Sequence, residues 1–295
     1  MLNRRVFLAA FASACVRAAV RIPANKNVKW ALGSNLWNYF PRVPFTDILD
    51  VMKDTGFFGI RLTQFPGILK TYDITGAQLQ AELSKRGLQV ITISTNVPAH
   101  DLAQHKQAMA TCRQNMDFLK QFGANRLVIF SPRRGPDAKA FQRMCAFYNT
   151  LGAVAGEMGF KAGLHNHLGQ MVQTPEEIDL CMDLTNPMLF HFSPDTAHVH
   201  LGGGDAVKVI DKHKHRLMLA DYKDAKREGL ANDFRPNIYD LGDGEIDFPG
   251  VHRVLKGAEY QGWLCVDLDI ARNGPRASYE RCGQYIVDNL EPIYV

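Results

Sequence analysis

From about residue 29 the chain alternates short apolar runs with longer stretches in which apolar positions recur every three or four residues. The short runs read as buried strands and the periodic stretches as helices buried along one face, so their order predicts βα units around a parallel sheet. Strands are expected at Trp30–Gly33, Phe58–Leu62, Gln89–Ile93, Arg126–Phe130, Ala162–His165, Leu189–Phe192, Leu217–Ala220 and Leu264–Val266. About eight such units close a (β/α)8 TIM barrel, an α/β fold built as a single domain.

The helices carry their own punctuation. Thr174-Pro175-Glu176-Glu177 places a hydroxyl at the N-cap, proline at the first helical position and a carboxylate at the third, which predicts a helix start there. Met109, Cys112, Met116 and Leu119 mark one apolar helix face, with Gly123 where a C-terminal cap belongs. Val251, Val254, Leu255 and Ala258 repeat the pattern before the last strand, and Tyr279, Cys282, Ile286 and Leu290 after it. Gly202-Gly203-Gly204 reads as a turn before Asp205, without the setting or spacing of a dinucleotide fingerprint.

The chain has 295 residues, 46% of them hydrophobic and 22% charged, which suits one barrel of about 250 residues plus a leader. Residues 1–20, MLNRRVFLAAFASACVRAAV, set Arg4 and Arg5 before an apolar run of small residues. That is the layout of a twin-arginine export signal, so the barrel is expected over 27–295 and the periplasm is the expected destination; a frayed basic N-terminus on a cytoplasmic protein is the bland alternative. Arg17 interrupts the run, and no stretch is long and apolar enough to predict a membrane span.

Without Arg4, Arg5 and Arg17, the 34 basic residues fall to 31 against 30 acidic ones. A nearly neutral chain without a dense basic run does not look like a nucleic-acid binder. Of six cysteines, Cys15 lies in the leader, and the odd five that remain have neither disulfide-framework nor zinc-ribbon spacing, so buried thiols are expected. Lys212 to Arg216, the nearest approach to a basic run, is expected on a solvated helix end.

Active sites of parallel barrels lie at the C-terminal ends of the strands. Strand five ends in His165-Asn166-His167, strand six in Ser193-Pro194-Asp195-Thr196-Ala197-His198, strand seven in Asp221-Tyr222-Lys223-Asp224 and strand eight in Asp267-Leu268-Asp269. Alternation points His165 and His167 to one side, and Asp221 and Lys223 likewise. Any one of these residues is readily explained as a helix cap or a solvated loop residue. Four successive strand ends meeting in one mouth favour a functional site, and mixed carboxylates and imidazoles suit a divalent ion.

These segments resemble the xylose-isomerase-like superfamily of sugar phosphate isomerases and epimerases over essentially the whole chain after the leader, and within it the inosose dehydratases most. The resemblance rests on His165-Asn166-His167-Leu168-Gly169 with Val172 to Ile178, on Asp195-Thr196-Ala197-His198 with Gly203-Gly204-Asp205, on Lys223-Asp224, on Leu241 to Phe248 and on Gly262-Trp263. It implies a metal site built from Glu, Asp, His and Glu on strands five to eight. Those positions hold His165, Asp195, Asp221 and Asp267, of which Asp195 alone keeps the family's residue type. The implied cofactor is a divalent ion, whether Mn, Mg, Co, Fe or Zn.

The resemblance also assigns the proton-moving positions to His165 and Asp267 and a substrate contact to His198; Lys223, two residues after Asp221 and on its side of the chain, is read either as an alternative acid or base if burial or the metal lowers its pKa, or as the partner of a nearby carboxylate. His165 cannot serve as ligand and base through the same nitrogen. His167, Asn35, Trp37 and Arg61 complete the expected substrate-binding set. Trp37 is read either as a platform for a sugar face or as core, and Arg61 either as an anchor for a substrate carboxylate or phosphate or as the neutraliser of an acidic mouth. Together these expectations describe a metal-dependent enzyme that removes a proton next to the carbonyl of a keto-sugar or cyclitol, then isomerises, epimerises or dehydrates it. A non-catalytic sugar-binding barrel and an endonuclease-like phosphodiesterase are the alternatives. The residues leave the oligomeric state open, a homo-oligomer included.

Overall fold

The strands form where the apolar runs predict them: β1 (Val28–Gly33), β2 (Gly59–Leu62), β3 (Gln89–Thr95), β4 (Arg126–Phe130), β5 (Lys161–His165), β6 (Phe190–Phe192), β7 (Ala220–Tyr222) and, last, β10 (Gly262–Val266). Between β7 and β10 a two-residue ribbon pairs β8 (Asp224–Ala225) with β9 (Ile238–Tyr239). The computed structural model describes residues 21–39, 43–135, 137, 139–272 and 274–294, so the expected export segment lies outside the described residues. The eight long strands are hydrogen-bonded in the order β6-β5-β4-β3-β2-β1-β10-β7, all pairs parallel. Parallel bridges Phe192↔Leu217 and Asp195↔Asp221 bring β7 back to β6 and close the ring.

One strand sits later than its apolar run. Leu217 to Ala220 is the predicted strand, and the ladder instead covers Ala220–Tyr222. Its ladder partner is β10, in register Leu264↔Ala220, Cys265↔Asp221 and Val266↔Tyr222, while on the β6 side it makes only isolated bridges, with Asp221 N donating to the Pro194 carbonyl at 2.8 Å. Apolar character marks where the backbone is buried, whereas the ladder is set by which groups can bond.

Helices α1 (Phe45–Thr55), α2 (Gly67–Thr71), α3 (Gly76–Arg86), α4 (His105–Lys120), α5 (Ala140–Glu157) and α6 (Pro175–Leu184) follow the first five strands. After β6 come α7 (Thr196–Leu201) and α8 (Ala206–His213), then α9 (Phe248–Gly257), α10 (Pro275–Tyr285) and α11 (Glu291–Tyr294). The expected capping box opens α6: Thr174 accepts from Glu177 N, and Glu177 reaches back to Thr174 N. Cys112, Met116 and Leu119 are buried on α4, as their spacing predicts. None of the described helices is long and apolar enough to cross a membrane. Arg216 departs from the expected solvated helix end, since it is buried and its guanidinium donates to the carbonyls of Met182, Thr185 and Phe190, closing the end of α6.

Two apolar layers position the site. The larger lies between sheet and helices. The smaller joins Ala31, Ile91, Val128, Leu219, Trp263 and Cys265, which fill the barrel interior. Side chains two residues apart share a face of a strand, so the next inward positions are Gly33, Arg61, His165, Asp221 and Asp267. An apolar plug thus carries a layer of charged groups directly above it.

Candidate active site

Each charged group in this layer is buried, so each needs a partner. Arg61, 1% exposed, donates from Nη1 to Asp221 Oδ2 at 2.5 Å and from Nη2 to Asp267 Oδ2 at 2.6 Å. Lys223 lies 3.0 Å from Asp195 Oδ2, 2.9 Å from Asp267 Oδ2 and 2.8 Å from Asp269 Oδ2. Two fixed cations therefore serve four buried carboxylates. Asp267 Oδ1 has no hydrogen-bond partner among the described residues and occupies the space left by Gly33, where a Cβ would come within 2.1 Å of it.

The protonation states follow. Burial pushes Asp221 up to about 6 against the pull of Arg61, and pushes Asp195 up against Lys223. Burial would also raise Asp267, but Arg61 and Lys223 overcome it and hold the carboxyl below its ordinary range. The Lys223 ammonium loses solvation, yet Asp195, Asp267 and Asp269 hold its pKa well above the ordinary lysine value. Lys223 is therefore an ammonium and not the neutral base considered from the sequence; it has the role of pairing with carboxylates.

His165 donates or accepts at Nδ1 with Asp221 Oδ2, 2.9 Å away, which leaves Nε2 3.8 Å from Asp195 Oδ2. A carboxylate on Nδ1 fixes the ring with its other nitrogen available. His198 is fully buried with neither ring nitrogen hydrogen-bonded among the described residues, and its Nε2 lies 3.9 Å from Asp195 Oδ2. Asp195 itself caps α7 through Oδ1, which accepts from His198 N at 3.0 Å. The donor atoms of His165, Asp195 and His198 lie within 4.8 Å of one another, close enough to hold one metal ion. Burial lowers the pKa of both histidines well below the ordinary value, so both imidazoles are neutral.

The four-member ligand set expected from the sequence is thus divided. His165 and Asp195 come together as expected, His198 joins them, and Asp221 and Asp267 are taken by Arg61. The cause is the guanidinium, whose two ends reach both carboxylates at once.

Above this layer opens a cavity of about 480 Å³ lined by Asn35, Arg61, His165, His167, Lys223 and Asp267, among others. His165 and His167 both face it, as their alternation predicts, and Asn35 lines it while donating to Asp269 Oδ1 at 2.5 Å. His167 gives its Nδ1 proton to the Leu168 carbonyl at 2.7 Å, which leaves Nε2 as the acceptor of the neutral ring. Two expectations change. Trp37 is 2% exposed, stacks on Tyr279 at 5.2 Å and 8°, and belongs to the core. His198 lies behind the cavity wall against His167, ring centroids 3.8 Å apart, and is absent from the lining.

The sequence reading gave no role to other lining residues. Asp269 follows Asp267 by two, and Ser94 and Asn96 end β3 two apart, so the period that exposed His165 and His167 marks these as well. Asn232, Asp233, Phe234 and Arg235 come from the segment between β8 and β9, which has no periodic signal. Phe234 sets its edge against His167 and His198, with centroids 5.4 and 4.9 Å away.

Comparison with known proteins agrees with this architecture. A family model described as a xylose isomerase-like TIM barrel matches residues 49–282. An inosose dehydratase of Bacillus velezensis is 32% identical over 181 residues, covering 53% of this chain and 61% of its own length, less than two thirds. An inosose dehydratase of Salmonella agona is 27% identical over 275 residues, covering 83% of this chain and 89% of its own. Among solved structures, the probable 3-DHS dehydratase AsbF from Bacillus anthracis superposes with a TM-score of 0.73 at 15% identity, covering 88% of this chain and 98% of that one. The IOLI protein with a binding zinc atom gives 0.75 at 14% identity, covering 90% and 99%. At such identities the solved structures speak to the fold alone.

Proposed function

The chain belongs to the xylose isomerase-like TIM-barrel family, and on that premise we propose that it removes a proton next to the carbonyl of a keto-cyclitol or keto-sugar and then isomerises the product or eliminates water from it. It is an enzyme of the sugar isomerase and dehydratase type. The observation that carries the reading is the buried charge layer beneath a polar cavity: four carboxylates against two fixed cations, beside three donors grouped closely enough for one ion. One divalent charge would balance that layer. His165 Nε2, Asp195 Oδ2 and His198 Nε2 would hold it, a donor set suited to Zn²⁺, Fe²⁺, Co²⁺ or Mn²⁺ more than to Mg²⁺. When bound, such an ion supplies a Lewis acid for substrate oxygens.

The remaining work falls to side chains. Lys223, held as an ammonium on the cavity wall, offers a proton or a hydrogen bond to an oxygen that gains negative charge as the neighbouring C–H breaks. His167 is the base: it lines the cavity, is neutral because burial lowers its pKa, and has Nε2 as its acceptor. Asp267 also lines the cavity, but a carboxylate held on two cations is a weak base, and its role in this reading is to fix Arg61 and Lys223.

The test is solvent exchange. Full-length protein reconstituted with Zn²⁺, Mn²⁺ or Co²⁺ and given ketoses and inososes in D2O should place deuterium next to the carbonyl of at least one of them. His167→Gln should lose the exchange while retaining the metal, and His198→Gln should lose the metal, read by elemental analysis against about one equivalent in the parent. Binding of polyols without exchange or elimination by any panel member would favour the sugar-binding barrel instead.

A further inference from the structure

We propose that Cys145 and Cys181 are the two halves of a disulfide that closes as the chain folds in the presence of a disulfide donor. Their sulfurs lie 4.0 Å apart, one on α5 and the other on α6. Cys112, Cys265 and Cys282 are also buried, but on α4, β10 and α10, so sulfur contact rather than burial distinguishes the pair. A disulfide holds its sulfurs about 2 Å apart, so this pair must close by about 2 Å more, a distance that rotation of both side chains can supply.

Other contacts fix the backbone on either side. One helical turn beyond Cys145, Asn149 donates to the Leu184 carbonyl at 3.1 Å and accepts from Asn186 N at 2.7 Å, tying α5 to the end of α6. One turn beyond Cys181, Thr185 donates to the Cys181 carbonyl at 2.7 Å, and Arg216 closes the helix end. Gly152 lets α5 lie on the Leu189 carbonyl, where a Cβ would come within 2.4 Å. The bond would therefore form where the fold already brings the two helices together.

Closure is thiol–disulfide exchange. One cysteine thiolate attacks the donor R–S–S–R and expels RS⁻, and the second cysteine thiolate then attacks the mixed disulfide and expels the other RS⁻. The two cysteine sulfurs lose two electrons, the donor gains them, and the two thiol protons leave on two RSH. In the folded chain both steps are hindered. The sulfurs belong to residues 1% and 0% exposed, and the contact with Cys145, together with burial, holds the Cys181 thiol well above its ordinary pKa. A donor thus reaches the pair before α6 packs, and afterwards only through local opening. The two cysteines are 36 residues apart, and the ring they close contains β5 with His165 and His167. Such a ring restricts the unfolded chain and so stabilises the folded one.

The test refolds full-length protein from urea with and without glutathione disulfide, alkylates the free thiols and maps the peptides by mass spectrometry. With the donor, Cys145 and Cys181 should appear as one crosslinked pair, while Cys112, Cys265 and Cys282 remain alkylated. The crosslinked protein should melt about 5 °C or more above the reduced one. Cys145→Ser and Cys181→Ala should each melt alike with and without the donor. Folded reduced protein given the same donor should close the bond about tenfold or more slowly than refolding protein. Absence of this crosslink in the refolded parent, a different pairing, or a crosslinked protein that melts no higher than the reduced one overturns the proposal. Closure equally fast in the folded protein overturns its coupling to folding. The crosslink is read on the parent, so a variant that fails to fold leaves the outcome decided.

Discussion

Replacing Arg61 by Met removes the guanidinium that bridges Asp221 and Asp267 while keeping an unbranched stem in its place. Breaking a buried ion pair from one side costs roughly 3–5 kcal/mol, because the abandoned charge stays behind. Proton uptake sets a ceiling on that cost. Neutralising an aspartate of ordinary pKa near 3.9 at pH 7 costs about 1.36 kcal/mol for each of roughly three units, or ~4 kcal/mol per carboxylate, and only ~1.5 kcal/mol at pH 5. Asp221 should take the proton first, since burial already pushes it up to about 6, whereas Asp267 keeps Lys223 at 2.9 Å.

The folded variant then holds a proton that the unfolded chain releases above its ordinary pKa, so the variant loses stability relative to the parent as pH rises from 5 to 7. In the parent, Asp221 is itself protonated below about 6, so only the upper part of the window separates the two proteins through that group. The expected loss is ~3–5 kcal/mol at pH 7, shrinking by about 1 kcal/mol or more at pH 5. Urea unfolding of parent and variant at both pH values reads it directly. If the methionine variant does not fold, Arg61→Lys, which keeps the charge but cannot bridge both carboxylates, should show a smaller loss with the same pH trend. A loss under about 1 kcal/mol at pH 7, or one that is equal at both pH values, would refute the reasoning, because it would mean that the layer is solvated like a surface ion pair.

Gly33→Ala should lower both stability and turnover, since its Cβ would sit 2.1 Å from Asp267 Oδ1; thermal melts should show about 1–3 kcal/mol of overpacking cost, and a variant as stable as the parent would contradict the packing described. Thr174→Ala removes one half of the α6 capping box and should cost about 1 kcal/mol in urea unfolding without altering exchange chemistry. Converting Arg4 and Arg5 together to Lys should leave the protein in the cytoplasm, followed by cell fractionation; unchanged periplasmic recovery would remove the twin-arginine assignment.

The fold was legible because strand burial and helix periodicity are local. A run such as Arg126 to Phe130 must be buried wherever it lies, and the strand there has the predicted bounds. A capping box such as that at Thr174 is complete within four residues and needs no distant partner. The misplacement at β7 has a non-local cause, since Leu217 to Leu219 are buried as their character requires, but the ladder is set by which residues meet Leu264 to Val266 of β10. Arg216 shows the same limit. A basic residue beside Lys212 and Lys214 looks solvated until three carbonyls from distant parts of the chain converge on it.

At the site, the sequence identifies which strand ends bear charge but not which charges meet. Period-2 alternation places His165, Asp221, Lys223 and Asp267 on the inward face, and the cavity or the layer beneath it contains them all. What alternation cannot supply is the bond list. Arg61 lies 160 residues from Asp221, and nothing near it in the sequence says that its fork spans two strand ends. Yet that contact decides the rest. With Arg61 on Asp221 and Asp267, Asp221 orients His165 and Asp267 fixes Lys223, while the donor atoms of His165, Asp195 and His198 lie within 4.8 Å of one another, Asp195 Oδ2 also standing 3.0 Å from Lys223 Nζ. His165 on β5 meets the Asp221 carboxylate on β7 across the barrel, and Arg61 on β2 supplies the charge that Asp221 and Asp267 require. Reading any of these positions alone against a family pattern assigns it to the metal, and only the geometry shows that Asp221 and Asp267 are paired with Arg61.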